Sequence, residues 1–303
     1  MLPKLLYGYP VLGRYGLGNM LYPWARCFIW CQDNHVPMIA PRWTYIRIGP
    51  YLRHEKDKRN YQRLFHSQGY ITGVKRLWIL MFCTKIPEDK VTKIIHSDLF
   101  LNSSRKKVVR FKGMRDFFTP LKSRHEDLYK ELKRITKPGL IKSSPADQFI
   151  GIHVRRGDYS KPSEEALLRA GHPNYRIPIT WYVSILNSLR SNLGHLVSYV
   201  FSDGTTDELA PLLCLPDTIL IQGGSAITDL LALSSSSVMI ASGSTFSMWA
   251  SFLGQVPCIW YPGQRWQFVI KTNRDVCLEP EMDVDASFSY GFLDVVLNRI
   301  VNH

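Results

Sequence analysis

An apolar run, Phe149 to Ile152, is followed directly by His153, Val154, Arg155, Arg156, Gly157, Asp158 and Tyr159. If that run is a strand, two adjacent guanidiniums sit at its carboxyl end, with an imidazole before them and a carboxylate after them. Ligands of open α/β sheets bind beyond the carboxyl ends of the strands, and arginine's planar fork of donors matches phosphate oxygens. The chemistry offered is therefore anion binding, with Asp158 in reach of a proton or of the arginines themselves. An isolated Arg-Arg pair more often forms ordinary surface ion pairs, since long charged side chains mostly lie in water. What separates the two readings is the rest of the chain.

Other polar groups stand at comparable places. Phe201 is followed by Ser202 and Asp203, and Ala241 by Ser242, Gly243, Ser244, Thr245, Phe246 and Ser247. Ser244 and Thr245 open an apolar helical pattern. They can cap it, and the free amides and positive dipole end of such a helix also suit an anion. Asp229 begins the preceding helical pattern, where it could cap or could accept hydrogen bonds from a base or ribose. Near the start, Gly13, Arg14, Tyr15, Gly16, Leu17, Gly18 and Asn19 form a glycine-rich turn, in which Gly16, Gly18 and Asn19 could let a substrate approach the backbone.

The elements that must position these groups follow from periodicity. Gln148 to Val154, Val197 to Phe201, Thr218 to Ile221, Val238 to Ala241 and Val256 to Tyr261 read as strands. Trp181 to Arg190, Thr228 to Leu233 and Thr245 to Leu253 read as helices between them. Such alternation predicts a doubly wound parallel sheet buried on both faces. In the first half, Leu5 to Val11 reads as a strand leading into the glycine turn. After it, Met20, Leu21, Trp24, Cys27, Phe28 and Cys31 recur at helical spacing, with Pro23 in the first turn and Cys27 and Cys31 facing a core. Glu126 to Ile135 reads as a helix. Leu77 to Phe82 reads as a buried strand or helix turn, or, because Lys75, Arg76 and Lys85 flank it, as a segment that touches a membrane. Residues 137 to 147, with Pro138, Gly139, Ser143, Ser144 and Pro145, read as a linker. The chain is thus expected to divide into residues 1–145 and 146–303.

Charge divides it in the same place. Of the net +13, residues 1–150 carry 28 basic against 11 acidic side chains, and residues 151–303 carry 10 against 14. A basic half, including the cluster Arg105, Lys106 and Lys107, suits nucleic acid, an anionic membrane surface or an acidic substrate. No helix-turn-helix, zinc or RRM signature supports nucleic acid. The 303 residues contain no run of 18 uncharged apolar residues and no secretory leader pattern. Six cysteines scattered through apolar segments, without knuckle spacing, fit buried reduced thiols in a soluble cytoplasmic protein.

Three of these segments together resemble one family. His153 to Tyr159 resembles the His-x-Arg-Arg-x-Asp signature of the α1,2-, α1,6- and protein O-fucosyltransferases. Asp229, Leu230, Ala232 and Leu233, followed by Ser244, Thr245, Phe246, Ser247, Trp249, Ala250 and Leu253, resemble the second block of the α1,2-fucosyltransferases of glycosyltransferase family 11. Gly16, Leu17, Gly18 and Asn19 resemble that family's Gly-Leu-Gly-Asn-Gln opening. The blocks stand in the family's order. Met20 replaces the usual glutamine, Tyr22, Pro23 and Trp24 replace the usual pattern after it, and residues 42–142 match nothing in the resemblance.

The resemblance implies a GT-B-type α/β fold, two Rossmann-like domains facing across a cleft, with GDP-β-L-fucose on the C-terminal one and the acceptor on the N-terminal one. It implies an inverting, metal-independent transfer of L-fucose, most simply to form an α1,2 link to galactose in an oligosaccharide or a lipid-linked glycan. Other linkages such as α1,6, another GDP-sugar, and a non-catalytic sugar-binding relative remain open. The donor-side residues it implies are His153, Arg155, Arg156, Asp203, Asp229, Ser244, Thr245, Phe246 and Ser247, and the acceptor-side ones Gly16, Gly18 and Asn19. Arg155, then Arg156, would meet the leaving diphosphate. Asp158 would be the general base or would only orient the arginines, with Glu164 or Glu165 as other candidate bases. Peripheral contact with the inner face of an anionic membrane is a further expectation, and no nucleic-acid partner is expected.

Overall fold

A computed structural model describes residues 6–44, 60–95, 106–141, 146–270 and 276–302. Leu5, Lys142, Ser143, Ser144, Pro145 and Arg105 lie outside the described residues. The described chain falls into two compact units, one before Gly139 and one from Gly139 onward.

In the first unit, β1 (Leu6–Val11), α1 (Leu17–Asp33), α2 (Gly73–Phe82), β2 (Thr84–Pro87), α3 (Glu88–Ile95), β3 (Lys107–Lys112) and α4 (His125–Ile135) follow one another. The sheet order is β1-β3-β2, all parallel. Cys27 and Cys31 are buried on one face of α1, as expected. Gly8 on β1 explains how that face closes onto the sheet, because a side chain there would collide with the Cys31 sulfur. Two expectations fail. Helix α1 already begins at Leu17, so Pro23 lies in its second turn and lacks the amide that would bond back to residue 19. The complete burial of Tyr22 and Trp24 on either side offsets that loss. Leu77 to Phe82 is neither a strand nor buried. It is the end of α2, where Ile79 is buried with Tyr7, Ile39, Cys83 and Val108 and Leu80 packs partly buried against that cluster.

The second unit contains β4 (Ile150–Val154), α5 (Glu165–Arg169), α6 (Ile179–Leu193), β5 (Ser198–Ser202), α7 (Thr206–Leu213), β6 (Thr218–Leu220), α8 (Ala226–Leu233), β7 (Val238–Ile240), α9 (Thr245–Gly254), β8 (Cys258–Ile259) and α10 (Tyr290–Val301). The order is β6-β5-β4-β7-β8, every pair parallel. Ile150, Ile152 and Val154 of β4 enter a core with Trp181, Tyr182, Ile185 and Leu189 of α6, Leu209 and Leu212 of α7, and Phe292 and Val296 of α10. On the opposite face, Gly151 lies against Leu233 and Ser236, where any side chain would be crowded. Helices thus cover both faces, and every residue of β4 is buried. The alternating pattern read from the sequence is borne out as a mixed α/β fold with parallel sheets.

Candidate active site

The winding reverses between β4 and β7, which are neighbours in the sheet but far apart in the chain. That switch point is where an open sheet leaves a crevice beyond its carboxyl edge. Register sets which side chains meet there. Val154 pairs with Ser202, and Ile152 with Ile240, so Arg155 follows one strand beside Asp203 and across from the Ser242–Ser247 turn.

Asp203 holds both arginines of the motif. One carboxylate oxygen accepts the backbone N–H of Arg156 at 2.7 Å, and the other pairs with the Arg155 guanidinium at 2.5 Å. Asp158 takes a second Arg155 nitrogen at 2.7 Å, and the guanidinium lies 5.5 Å from the centre of the Tyr159 ring. Burial works against charge on Arg155, but Asp203 and Asp158 outweigh it and the guanidinium is held cationic above its ordinary range. Its side chain is 28% exposed, and two of its five donors are committed to carboxylates.

Arg156 is different. It is 8% exposed, donates to the Ile177 carbonyl at 3.0 Å and packs under Gly204, where a Cβ would strike its side chain. The two adjacent arginines therefore point to different surroundings, one partly open and one buried. Arg176, which the sequence reading did not single out, locks the motif loop. It donates to the Arg156 carbonyl at 3.1 Å and the Tyr159 carbonyl at 2.6 Å, and pairs with Glu208 at 2.7 Å. Glu208 in turn closes a capping box with Thr205 at the start of α7. The Thr205-x-x-Glu208 spacing was the available signal for that helix.

His153 lies across the switch point. Its Nδ1 meets the hydroxyls of Ser247 at 2.7 Å and Ser242 at 2.9 Å, and its ring lies 5.0 Å from that of Phe246. Burial, then the nearby Arg155 charge, lowers its pKa to about 3, so it is a neutral imidazole at physiological pH. Ser244 is the N-cap of α9, its hydroxyl accepting from the Ser247 amide at 3.2 Å. Tyr159 ties the motif loop to the same turn, donating to the Gly243 carbonyl at 3.1 Å. Burial pushes its phenol up to about 12, so it stays protonated. The structure thus brings His153, Arg155, Asp158, Asp203, Ser244, Thr245, Phe246 and Ser247 to one edge of one sheet.

Asp229 is not a cap. Ser225 caps α8 by accepting from Thr228, and Asp229 stands one position further on, its carboxylate against Gly224. Glu165 accepts from the Tyr261 hydroxyl at 2.5 Å and pairs with Arg169, which hold it ionised below the ordinary carboxylate range. Glu164 precedes α5 and makes no capping bond. In the first unit, Gly16 is the residue before α1 and open space surrounds the position of its missing side chain, while the Leu17 amide is taken by the Tyr61 hydroxyl at 3.2 Å. Among the described residues, no group of three or more His, Cys, Asp or Glu side chains is placed to hold a metal ion.

A family model described as glycosyl transferase family 11 matches residues 95–260, more than half of the chain. The chain belongs to that family. The matched segment of this family 11 glycosyltransferase includes His153 to Tyr159, Asp203, Asp229 and Ser244 to Ser247, whereas Gly16, Gly18 and Asn19 lie outside it. Solved structures similar to it include the α1,6-fucosyltransferase NodZ, from Bradyrhizobium, soaked with GDP-fucose, at 15% identity over 84% of this chain and 94% of that chain, with a TM-score of 0.49. A mutant of Arabidopsis thaliana FUT1 in complex with GDP matches at 13% identity over 84% and 70%, TM-score 0.47. POFUT1 in complex with GDP matches at 12% identity over 85% and 98%, TM-score 0.45. No curated protein matches the sequence.

Proposed function

We propose that this glycosyltransferase moves L-fucose from GDP-β-L-fucose to a hydroxyl of a galactose-containing oligosaccharide or lipid-linked glycan, forming an α1,2 link with inversion. The observation that carries the reading is the Arg155 guanidinium, held by Asp158 and Asp203 at the switch point of a parallel sheet, with the helix α9 opening on the adjoining strand. The choice of fucose rests on the resemblance of His153–Tyr159 and Asp229–Leu253 to the fucosyltransferase blocks. We assign the donor to residues 146–303 and the acceptor to residues 1–145, where Gly16, Gly18 and Asn19 form the acceptor side.

In this reading the acceptor oxygen attacks the anomeric carbon as the carbon–oxygen bond to the diphosphate breaks, and negative charge grows on the departing GDP. Arg155 and the amides that open α9 meet that charge, so the step needs no metal. Arg156, buried against Ile177, supports the loop from beneath. Asp158 is committed to Arg155 and orients it, and the acceptor proton is lost late to solvent. Neutral His153 fixes the Ser242–Ser247 turn that carries the helix start, with Thr245 and Phe246 beside the nucleotide and Asp229 toward its base or ribose. We place the reaction in the cytoplasm, a reading supported by the free, buried thiols of Cys27, Cys31, Cys83 and Cys258; Cys214 and Cys277, expected to be buried as well, are exposed.

The test is incubation with GDP-fucose and a panel of galactosides in the presence of a chelator, with linkage analysis of the product. Metal-independent formation of an α1,2-fucosyl galactoside is the expected result. An α1,6 product overturns the linkage alone, whereas no transfer or hydrolysis of GDP-fucose overturns the donor assignment.

A further inference from the structure

Helix α2 carries an apolar stripe that none of the described residues covers. Val74, Leu77, Met81 and Phe82 are each more than half exposed and Trp78 nearly half. Their spacing of three and four places all five on one side of the helix. The helix is nevertheless firmly seated. Ile79, 1% exposed, and Leu80 pack on the unit's core, and Arg76 pins the opposite side by donating to the Ala40 carbonyl at 3.1 Å and the Tyr9 hydroxyl at 3.3 Å. A contiguous exposed apolar patch on a docked helix marks an interaction surface.

Its surroundings say what kind. Lys75 and Lys85 are exposed at the two ends of the stripe, and the Lys106 ammonium lies 5.1 Å from the centre of the Trp78 ring. Between Asn60 and Pro87 the sequence contains no acidic residue at all. An apolar stripe ringed by cations, with a tryptophan among its apolar residues, fits the plane of an anionic bilayer, where the stripe enters the acyl boundary and the ammoniums stay with the headgroups. A second copy of the chain fits poorly. Fewer than three turns of helix fall well short of the roughly 800 Å² that each partner of a stable interface covers. Pairing such stripes about a twofold axis would also set lysine against lysine.

We infer that helix α2 is a peripheral membrane anchor, its Val74-Leu77-Trp78-Met81-Phe82 face inserting into the interface of an anionic bilayer. The test is co-sedimentation of the full chain with phosphatidylglycerol vesicles, and with phosphatidylcholine vesicles, at low and high salt. The purified protein is expected to pellet with phosphatidylglycerol only, and less at high salt. Leu77→Glu with Met81→Glu removes two inserted side chains and should weaken partition at least about tenfold, and Lys75→Glu with Lys85→Glu by about fivefold or more per charge. Because all four side chains are exposed, thermal unfolding of both variants should match that of the parent and exclude misfolding as the cause. Equal pelleting of parent and variants, pelleting with neither lipid, or a dimer in sedimentation equilibrium that the Leu77→Glu/Met81→Glu variant dissociates would each overturn the proposal.

Discussion

Asp203 and Arg155 stand 48 positions apart in the chain and share a 2.5 Å ion pair, because β4 and β5 run parallel in a register that ends both strands at the same level. The pair sets the direction of the one motif guanidinium that is partly open. Arg155→Ala should lower kcat for transfer by about 10²–10³-fold, the usual cost of removing a charge-stabilising donor. Arg155→Lys should recover little, since an ammonium cannot serve two carboxylates and a diphosphate in one plane. Asp203→Asn keeps an acceptor for the Arg156 amide but loses the charge facing Arg155. It should cost about ten- to a hundredfold in kcat, the worth of a charged hydrogen bond, with the melting temperature little changed. Steady-state kinetics of the three variants decide, and full activity in Asp203→Asn would remove the pair from the mechanism.

Gly157 gives a test of the same geometry from the other side. A Cβ at that position would collide with the Asp203 carboxylate oxygen that pairs with Arg155. Gly157→Ala should therefore lower transfer to nearly the extent of Asp203→Ala, and adding it to Asp203→Ala should cost little more. The double-mutant cycle measures this coupling, and simple additivity would show that Gly157 acts elsewhere.

Much of this site was legible in the sequence because its parts are local. A short apolar run ending in His-Val-Arg-Arg needs only its strand to place the arginines, and Ser244 before an apolar helical pattern is a cap wherever the helix goes. The Arg155–Asp203 pair, the Arg176 lock and the Ser242–His153–Ser247 cluster join residues from different elements, and no spacing rule reports them. Helix α7 carried its capping box but also Pro211, which reads as a break. The run Leu77–Phe82 misled for another reason. Apolar composition signals burial on average, yet helical geometry turned Ile79 and, in part, Leu80 inward and left Leu77, Trp78, Met81 and Phe82 outside.

Arg26 tests the framework of the first unit. Buried in α1, it donates to the carbonyls of Lys112 at 2.9 Å and Gly113 at 3.0 Å at the end of β3, and pairs with Glu88 at 3.2 Å at the start of α3. Burial raises the Glu88 pKa and Arg26 opposes that rise. Arg26→Ala strands the carbonyls and leaves Glu88 half-buried without its cation. A loss of about 2–4 kcal/mol in unfolding free energy is expected. Urea denaturation measures it, and a loss under about 0.5 kcal/mol would mean that water replaces the guanidinium there.

His153 makes a prediction about pH. Its folded pKa of about 3 lies below the value of roughly 6.5 for an unfolded histidine, so below about pH 6.5 the unfolded chain gains a proton that the folded chain excludes. Stability from this group is thus complete above about pH 6.5 and is lost as pH falls toward 3, by up to about 1.4 kcal/mol per pH unit. His153→Gln keeps a hydrogen-bonding group between Ser242 and Ser247 but does not titrate. It should be less stable than the parent at neutral pH and flatter in its response to acid, so that the two curves of unfolding free energy against pH converge below pH 6. Every other acid-sensitive group is common to both proteins, and their contributions cancel in the difference. Parallel curves would mean that the imidazole takes up its proton as readily in the folded protein as in the unfolded one, and that the Ser242–His153–Ser247 cluster opens to water well before the fold is lost.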